Sequence, residues 1–195
     1  MSKQAISQVI SQPLGERISR RSLVQSAMPC ALAISSLAAF GAVWAQTPEG
    51  ALPKPGSVLR LPDVTLLDGS LWRAPEMRGK TLVVYWWASW CPFCALQSPH
   101  IEALWRTQKA AGLGVLALSI DKQVATAAAY MAARGYSFPA GMLTAEVARW
   151  LPKPAGLPVV VVLKINGQDG RSGQVVFAES GEMFPEDVEG LKKYL

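Results

Sequence analysis

The chain has 195 residues, half of them apolar, three cysteines, one histidine and a formal net charge of +5. That is one domain plus an extension, with apolar content enough for a core that needs no disulfide staples. Residues 1–45 hold four basic residues and one acid, a net +3, which leaves +2 for residues 46–195. The basicity therefore belongs mostly to the N-terminal segment and is no argument for nucleic-acid binding.

Residues 1–45 read as a targeting segment. A polar start carrying Lys3, Arg17, Arg20 and Arg21 precedes an apolar run, Ala27 to Trp44, rich in small residues. Val43-Trp44-Ala45 has the small −3/−1 spacing of a signal-peptidase site, so cleavage is expected after Ala45. Ser19-Arg20-Arg21-Ser22-Leu23 resembles a twin-arginine export signal. An ordinary Sec signal fits the same residues, and so does an uncleaved membrane anchor, although Pro29, Ser35, Ser36 and Gly41 make a mediocre span. Cys30 follows Ala27-Met28-Pro29, which is no lipobox, and goes with the removed segment. Each reading places residues 46–195 outside the cytoplasm, in the periplasm.

Gln46 to Ser57 is rich in Pro and Gly and reads as a linker. The domain is expected over 58–195. Val58 to Leu67 reads as a strand, with Asp68-Gly69 as a two-residue hairpin turn into Ser70 to Arg73. Pro75 to Gly79 is a short helical turn or loop. Thr81 to Trp87 is a continuous apolar run, the pattern of a strand covered on both faces. Ala95 to Lys109 reads as a helix, kinked by Pro99. Leu113 to Ile120 is a second buried strand, and Gln123 to Arg134 an alanine-rich helix capped by Gly135. Tyr136 to Gly141 reads as irregular. Thr144 caps a short helix, Ala145 to Leu151. Val159 to Lys164 and Gln174 to Ala178 are strands on either side of an Asn166-Gly167 turn. Pro185 opens a last helix that ends near Tyr194. Mixed strands alternating with helices make an α/β fold.

The chemistry concentrates at Trp90-Cys91-Pro92-Phe93-Cys94, between a buried strand and a helix. Two thiols two residues apart at such a junction form the signature of a thiol–disulfide exchange site. Cys91 falls at the helix N-terminus, where free N–H groups and the helix dipole stabilise a thiolate. Cys94, one turn on, can resolve a mixed disulfide by attacking the first sulfur. Cys91 is thus the nucleophile and Cys94 the resolving thiol. Structural zinc wants four ligands, and the mature chain lacks a second Cys pair. Covalent haem needs a histidine directly after the second cysteine, where Ala95 stands. No metal and no cofactor is expected beyond the redox-active Cys91–Cys94 disulfide. His100, six residues past Cys94, is turned away from the motif, and Glu102 is expected on the solvent face of the helix.

Gly156-Leu157-Pro158-Val159 opens the third buried strand. Pro158 is either a simple strand-start proline or a cis proline facing the cysteines, with the Leu157 backbone free to pair with an extended substrate. Trp90 abuts the nucleophile and is expected, with Pro92 and Phe93, to shape a substrate groove. Trp86 and Trp87 are expected to line core faces.

Trp87 to Cys94, Pro99 and Gly156-Leu157-Pro158 before Val159 to Val162 resemble the thioredoxin superfamily, and within it the exported TlpA-like (ResA/CcmG-type) disulfide reductases. The resemblance runs over roughly 56–195 and takes in the leading hairpin, Arg78-Gly79-Lys80 and the segment around Tyr136-Ser137-Phe138-Pro139. It implies a thioredoxin fold: a central mixed sheet flanked by helices, with an N-terminal hairpin extension and a helical insertion. It also implies an exposed Cys91, a buried Cys94, a cis Leu157–Pro158 bond, disulfide-containing protein clients and a membrane thiol-electron donor. Gln97 and Pro99 stand as supporting residues.

Three positions depart from that pattern. Phe93 replaces the proline common before the second cysteine. Tyr85 stands where thioredoxin buries an aspartate. Gln97 stands where TlpA-like reductases often have glutamate, and an amide takes no proton near neutral pH. An oxidant or isomerase on the same fold is the nearest rival reading. A copper metallochaperone using Cys91, Cys94 and His100 is a rival of another class.

Overall fold

A computed structural model describes residues 50–195. The targeting readings, the expected cleavage after Ala45 and Cys30 lie outside the described residues. Strands and helices follow in the order β1 Val58–Arg60, β2 Val64–Thr65, β3 Leu71–Trp72, β4 Thr81–Trp87, α1 Pro92–Gln108 and β5 Leu113–Ser119. The chain continues through α2 Val124–Arg134, β6 Ala140–Met142, α3 Ala145–Trp150, β7 Val159–Lys164, β8 Ser172–Ser180 and α4 Pro185–Gly190.

A six-stranded mixed sheet runs β1-β8-β7-β4-β5-β6, and β2 and β3 form a separate hairpin. Strands β4, β5 and β6 are parallel; β7 is antiparallel to β4, β8 to β7 and β1 to β8. Every residue of β4 and β5 is buried, as strands covered on both faces require. Side chains alternate between two cores. Val83, Tyr85 and Trp87 face one core with Ile101 and Leu104 of α1, Met131 of α2 and Val188 of α4. Leu82, Val84 and Trp86 face the other with Val64 and Trp72 of the hairpin and Val147 of α3.

Four expectations are corrected. The first strand breaks after Arg60, and β2 resumes at Val64 in the separate hairpin. The hairpin loop holds three residues, since Leu66 N–H reaches the Ser70 carbonyl and Gly69 N–H the Leu66 carbonyl, with Gly69 at φ 84°. A turn closed by a left-handed glycine is the usual three-residue solution. Tyr136 to Gly141 ends in a strand, β6, paired with Ala117 to Ser119 of β5. The expected linker is fastened over 50–57: Gly56 N–H reaches the Val175 carbonyl, Val175 N–H the Ser57 carbonyl and Ala155 N–H the Gly50 carbonyl.

Candidate active site

Strand β4 ends at Trp87, and the loop Ala88-Ser89-Trp90 carries the chain to Cys91, the N-cap of α1. Pro92 takes the first helical position, where its missing N–H costs nothing and its fixed φ suits the helix. The Cys94 N–H donates to Cys91 Sγ at 3.2 Å. No acidic side chain lies in the first turn, so nothing there opposes the positive end of the helix dipole. The helix end therefore favours a thiolate on Cys91.

Cys91 and Cys94 are disulfide-bonded, their Cα atoms 5.2 Å apart. Cys94 is 1% exposed; Cys91, expected to be exposed, is 5% exposed, with its sulfur bonded to that of the deeper residue. The residues around the pair are open: Trp90 is 66% and Phe93 53% exposed, and Pro92 is exposed between them.

The Leu157–Pro158 bond is cis. Val159 pairs with Trp86, so Pro158 lies at the end of the sheet from which the cysteine loop departs. The Pro158 carbonyl accepts from Gly181 N–H at 2.8 Å. Leu157 is half-buried between the two cores, and its backbone N–H and C=O have no hydrogen-bond partner among the described residues.

Gln97 is fully buried one turn past Cys94, and its Oε1 accepts from the Met183 N–H. Pro99 lies on the exposed side of α1. His100 is half-buried and lines a groove of about 330 Å³ between α1 and α4, with Pro185, Glu189 and Lys192. Glu102 corrects its expectation: it is buried, and its carboxylate accepts from the Ser137 N–H and hydroxyl, the Phe138 N–H and Arg106. It holds the turn before β6 against α1 and has no bond to the cysteines.

Two contacts near the motif lie beyond the sequence pattern: one at Tyr85, marked in the sequence only as a departure from the family pattern, and one at Asp121, which the sequence reading does not single out. The Tyr85 hydroxyl, on β4, lies 3.0 Å from Ser98 Oγ and donates to the Cys94 carbonyl at 3.4 Å. Asp121, buried just after β5, bonds Ser89. An aspartate closing a buried apolar strand, Leu113 to Ser119, was the available signal for the second.

A family model described as the AhpC/TSA family matches residues 59–147. The chain is 29% identical over 73 residues to the thiol-disulfide oxidoreductase ResA of Halalkalibacterium halodurans, covering 37% of this chain and 42% of that protein. It is 25% identical over 130 residues to ResA of Bacillus thuringiensis, covering 67% and 72%. The chain thus spans less than half of the first relative and nearly three quarters of the second. Among solved structures it resembles a thiol:disulfide interchange protein of the thioredoxin family from Chlorobium tepidum TLS, with a TM-score of 0.59, 22% identity and coverage of 74% of this chain and 98% of that one.

Proposed function

We propose that this chain, which carries an AhpC/TSA-type thioredoxin-superfamily domain, is a thiol–disulfide oxidoreductase that works outside the cytoplasm as a reductant of protein disulfides. The observation that carries the reading is Cys91 at the N-cap of α1, its sulfur taking the Cys94 N–H, with Cys94 buried behind it and Trp90 and Phe93 exposed beside it. The structure is of the oxidised form. In the dithiol form the Cys91 thiolate attacks one sulfur of a client disulfide, and the other client sulfur leaves as a thiolate. Cys94 loses its proton and attacks Cys91 Sγ, which releases the second client sulfur and forms the Cys91–Cys94 disulfide. Two electrons pass to the client, and a membrane thiol donor returns two. Trp90, Pro92 and Phe93 offer the apolar rim for the client, and the unpaired Leu157 backbone an edge for an extended segment.

The location rests on the N-terminal sequence, with its basic start and apolar run; membrane association through that segment belongs to the same proposal. Thiol exchange is favoured over copper carriage because His100, the imidazole that carriage would add to the two thiols, lines the groove between α1 and α4.

The test is the reduction potential of the Cys91–Cys94 pair against thiol buffers, with trapping. A value near about −270 mV or lower fits an electron donor, and one between about −120 and −180 mV fits an oxidant or isomerase and overturns the reductase reading. Cys94→Ser is expected to hold clients as mixed disulfides on Cys91. Faster alkylation of Cys94 than of Cys91 would reverse the two roles.

A further inference from the structure

The loop that delivers Cys91 is held from behind by one carboxylate. Asp121 Oδ2 accepts from the Ser89 N–H at 3.1 Å and Oδ1 from the Ser89 hydroxyl at 2.7 Å. The Ser119 hydroxyl donates to Oδ2 at 2.7 Å, and the Asp121 N–H returns a bond to Ser119 Oγ at 3.0 Å. The carboxylate is buried and meets three donors. Its own strand end is fixed, because β5 runs alongside β4 to the Trp87–Ser119 pair and the Ile120 N–H reaches the Trp87 carbonyl at 3.0 Å.

An aspartate just before a helix ordinarily caps it. Here the N-cap of α2 is Gln123, with no side-chain cap bond, and Asp121 is turned to the loop instead. Ala88-Ser89-Trp90 belongs to no strand or helix; Ala88 is packed in the core, and the Cys91 N–H reaches its carbonyl at 3.2 Å. Both polar groups that Ser89 can donate go to Asp121.

We infer that Asp121 is a positioning residue for the Cys91 nucleophile, acting through Ser89, an inference that rests on the thiol-exchange reading above. The two-pronged bond fixes the loop two residues before Cys91. That sets where Sγ stands relative to the Cys94 N–H and how Trp90 projects beside it. Thiolate stabilisation and in-line attack both depend on that placement, and a misplacement of an ångström is enough to slow a reaction strongly.

The experiment uses the full-length chain and the variants Asp121→Ala, Asp121→Asn and Ser89→Ala, with iodoacetamide and glutathione as probes. Three quantities are read: the rate of Cys91 alkylation against pH, the equilibrium constant of the Cys91–Cys94 disulfide with glutathione, and the melting midpoint. Asp121→Ala is expected to slow alkylation near neutral pH about tenfold, Ser89→Ala about threefold, and both to move the equilibrium constant at least about threefold. Asp121→Asn keeps an acceptor oxygen for the loop and is expected to stay within about threefold of wild type. Folded Asp121→Ala and Ser89→Ala proteins that match wild type within about twofold in rate and equilibrium, whatever their melting midpoints, would overturn the inference. Should Asp121→Ala fail to fold, Ser89→Ala, which removes only a hydroxyl, decides alone. A wild-type chain that does not exchange with glutathione overturns the reading of the site and this inference with it. An active wild type matched by its variants overturns the inference alone.

Discussion

The side-chain oxygen of Gln97 accepts a hydrogen bond of 2.8 Å from the backbone N–H of Met183, and both residues are buried. The bond ties α1, one turn past Cys94, to the segment entering α4. The other end of the amide has no partner among the described residues: Nε2 is a buried, unsatisfied donor, a burden of about 1–3 kcal/mol. Gln97→Glu keeps the acceptor and removes the orphan donor, but places an ionisable group in the core. Burial raises the pKa of such a carboxyl above its unfolded value. Between those two pKa values the native state then binds more protons than the unfolded one, so stability falls as pH rises through the window. Gln97→Glu is expected to match wild type near about pH 4 and to fall below it near about pH 8. Denaturant titration at the two pH values checks this, and an unchanged difference would mean that the new carboxyl reaches water. The same variant supplies a proton acceptor near Cys94, so the resolving step should quicken.

Glu102 gives the opposite pH signature. Burial pushes its carboxyl up, but the Ser137 hydroxyl and N–H, Arg106 and the Phe138 N–H together hold it below the ordinary carboxylate value. With the folded pKa depressed, the unfolded state binds more protons in the window between the two values. The contribution is therefore complete above the unfolded pKa of about 4.3 and is lost as pH falls through the folded value. Glu102→Gln is expected to flatten this acid limb and to cost about 1–3 kcal/mol near neutral pH, because an amide cannot serve as many donors. Urea midpoints taken from acid to neutral pH test both parts.

Local patterns were legible in the sequence, and distant ones were not. Leu82 to Trp87 and Val159 to Leu163 are uniform apolar runs, and β4 and β7 extend each by one residue. The cysteine pair is local too: residue spacing and a helix start define it. Strand β6 is different. Ala140-Gly141-Met142 has little strand propensity of its own, and it is a strand because β5 offers an edge. Gly141 is there for space, since a Cβ would come 2.7 Å from Val64 Cγ1 and 2.8 Å from the Thr65 carbonyl oxygen on the hairpin. Glu102 reads as a surface residue because the donors that bury it, on Ser137 and Phe138, are 35 and 36 positions away. Asp121 and Ser89, 32 apart, meet only once β5 lies beside β4.

The exposed rim beside Cys91 should matter for clients and little for folding. Trp90 and Phe93 lie largely in water, so replacing either by alanine is expected to change stability by less than about 0.5 kcal/mol. Aromatic anchors in a contact surface are worth about 1–3 kcal/mol each on average, so reduction of a folded protein disulfide should slow about tenfold or more in the double variant. Reduction of a small disulfide such as oxidised glutathione needs no rim and should change much less. Equal losses on both substrates would mean that the variants disturb Cys91 itself.

Tyr85 presents the last separable group behind the cysteines. Its hydroxyl meets Ser98 Oγ and the Cys94 carbonyl, and its ring stands edge-on to Phe138, the centroids 6.4 Å apart. Burial holds the phenol well above its ordinary pKa, against the opposing bond from Ser98. It therefore stays neutral through the range in which thiols titrate and offers Cys94 no base. Tyr85→Phe keeps the ring and opens no cavity, so the expected loss is that of a neutral hydrogen bond, about 1 kcal/mol. The pH profile of disulfide exchange should keep its shape, with a modest change in amplitude as the Cys94 carbonyl loses its tether. A profile whose alkaline limb disappears in Tyr85→Phe would show that the phenol carries the proton after all. Measuring exchange across neutral to alkaline pH for wild type and variant separates the two.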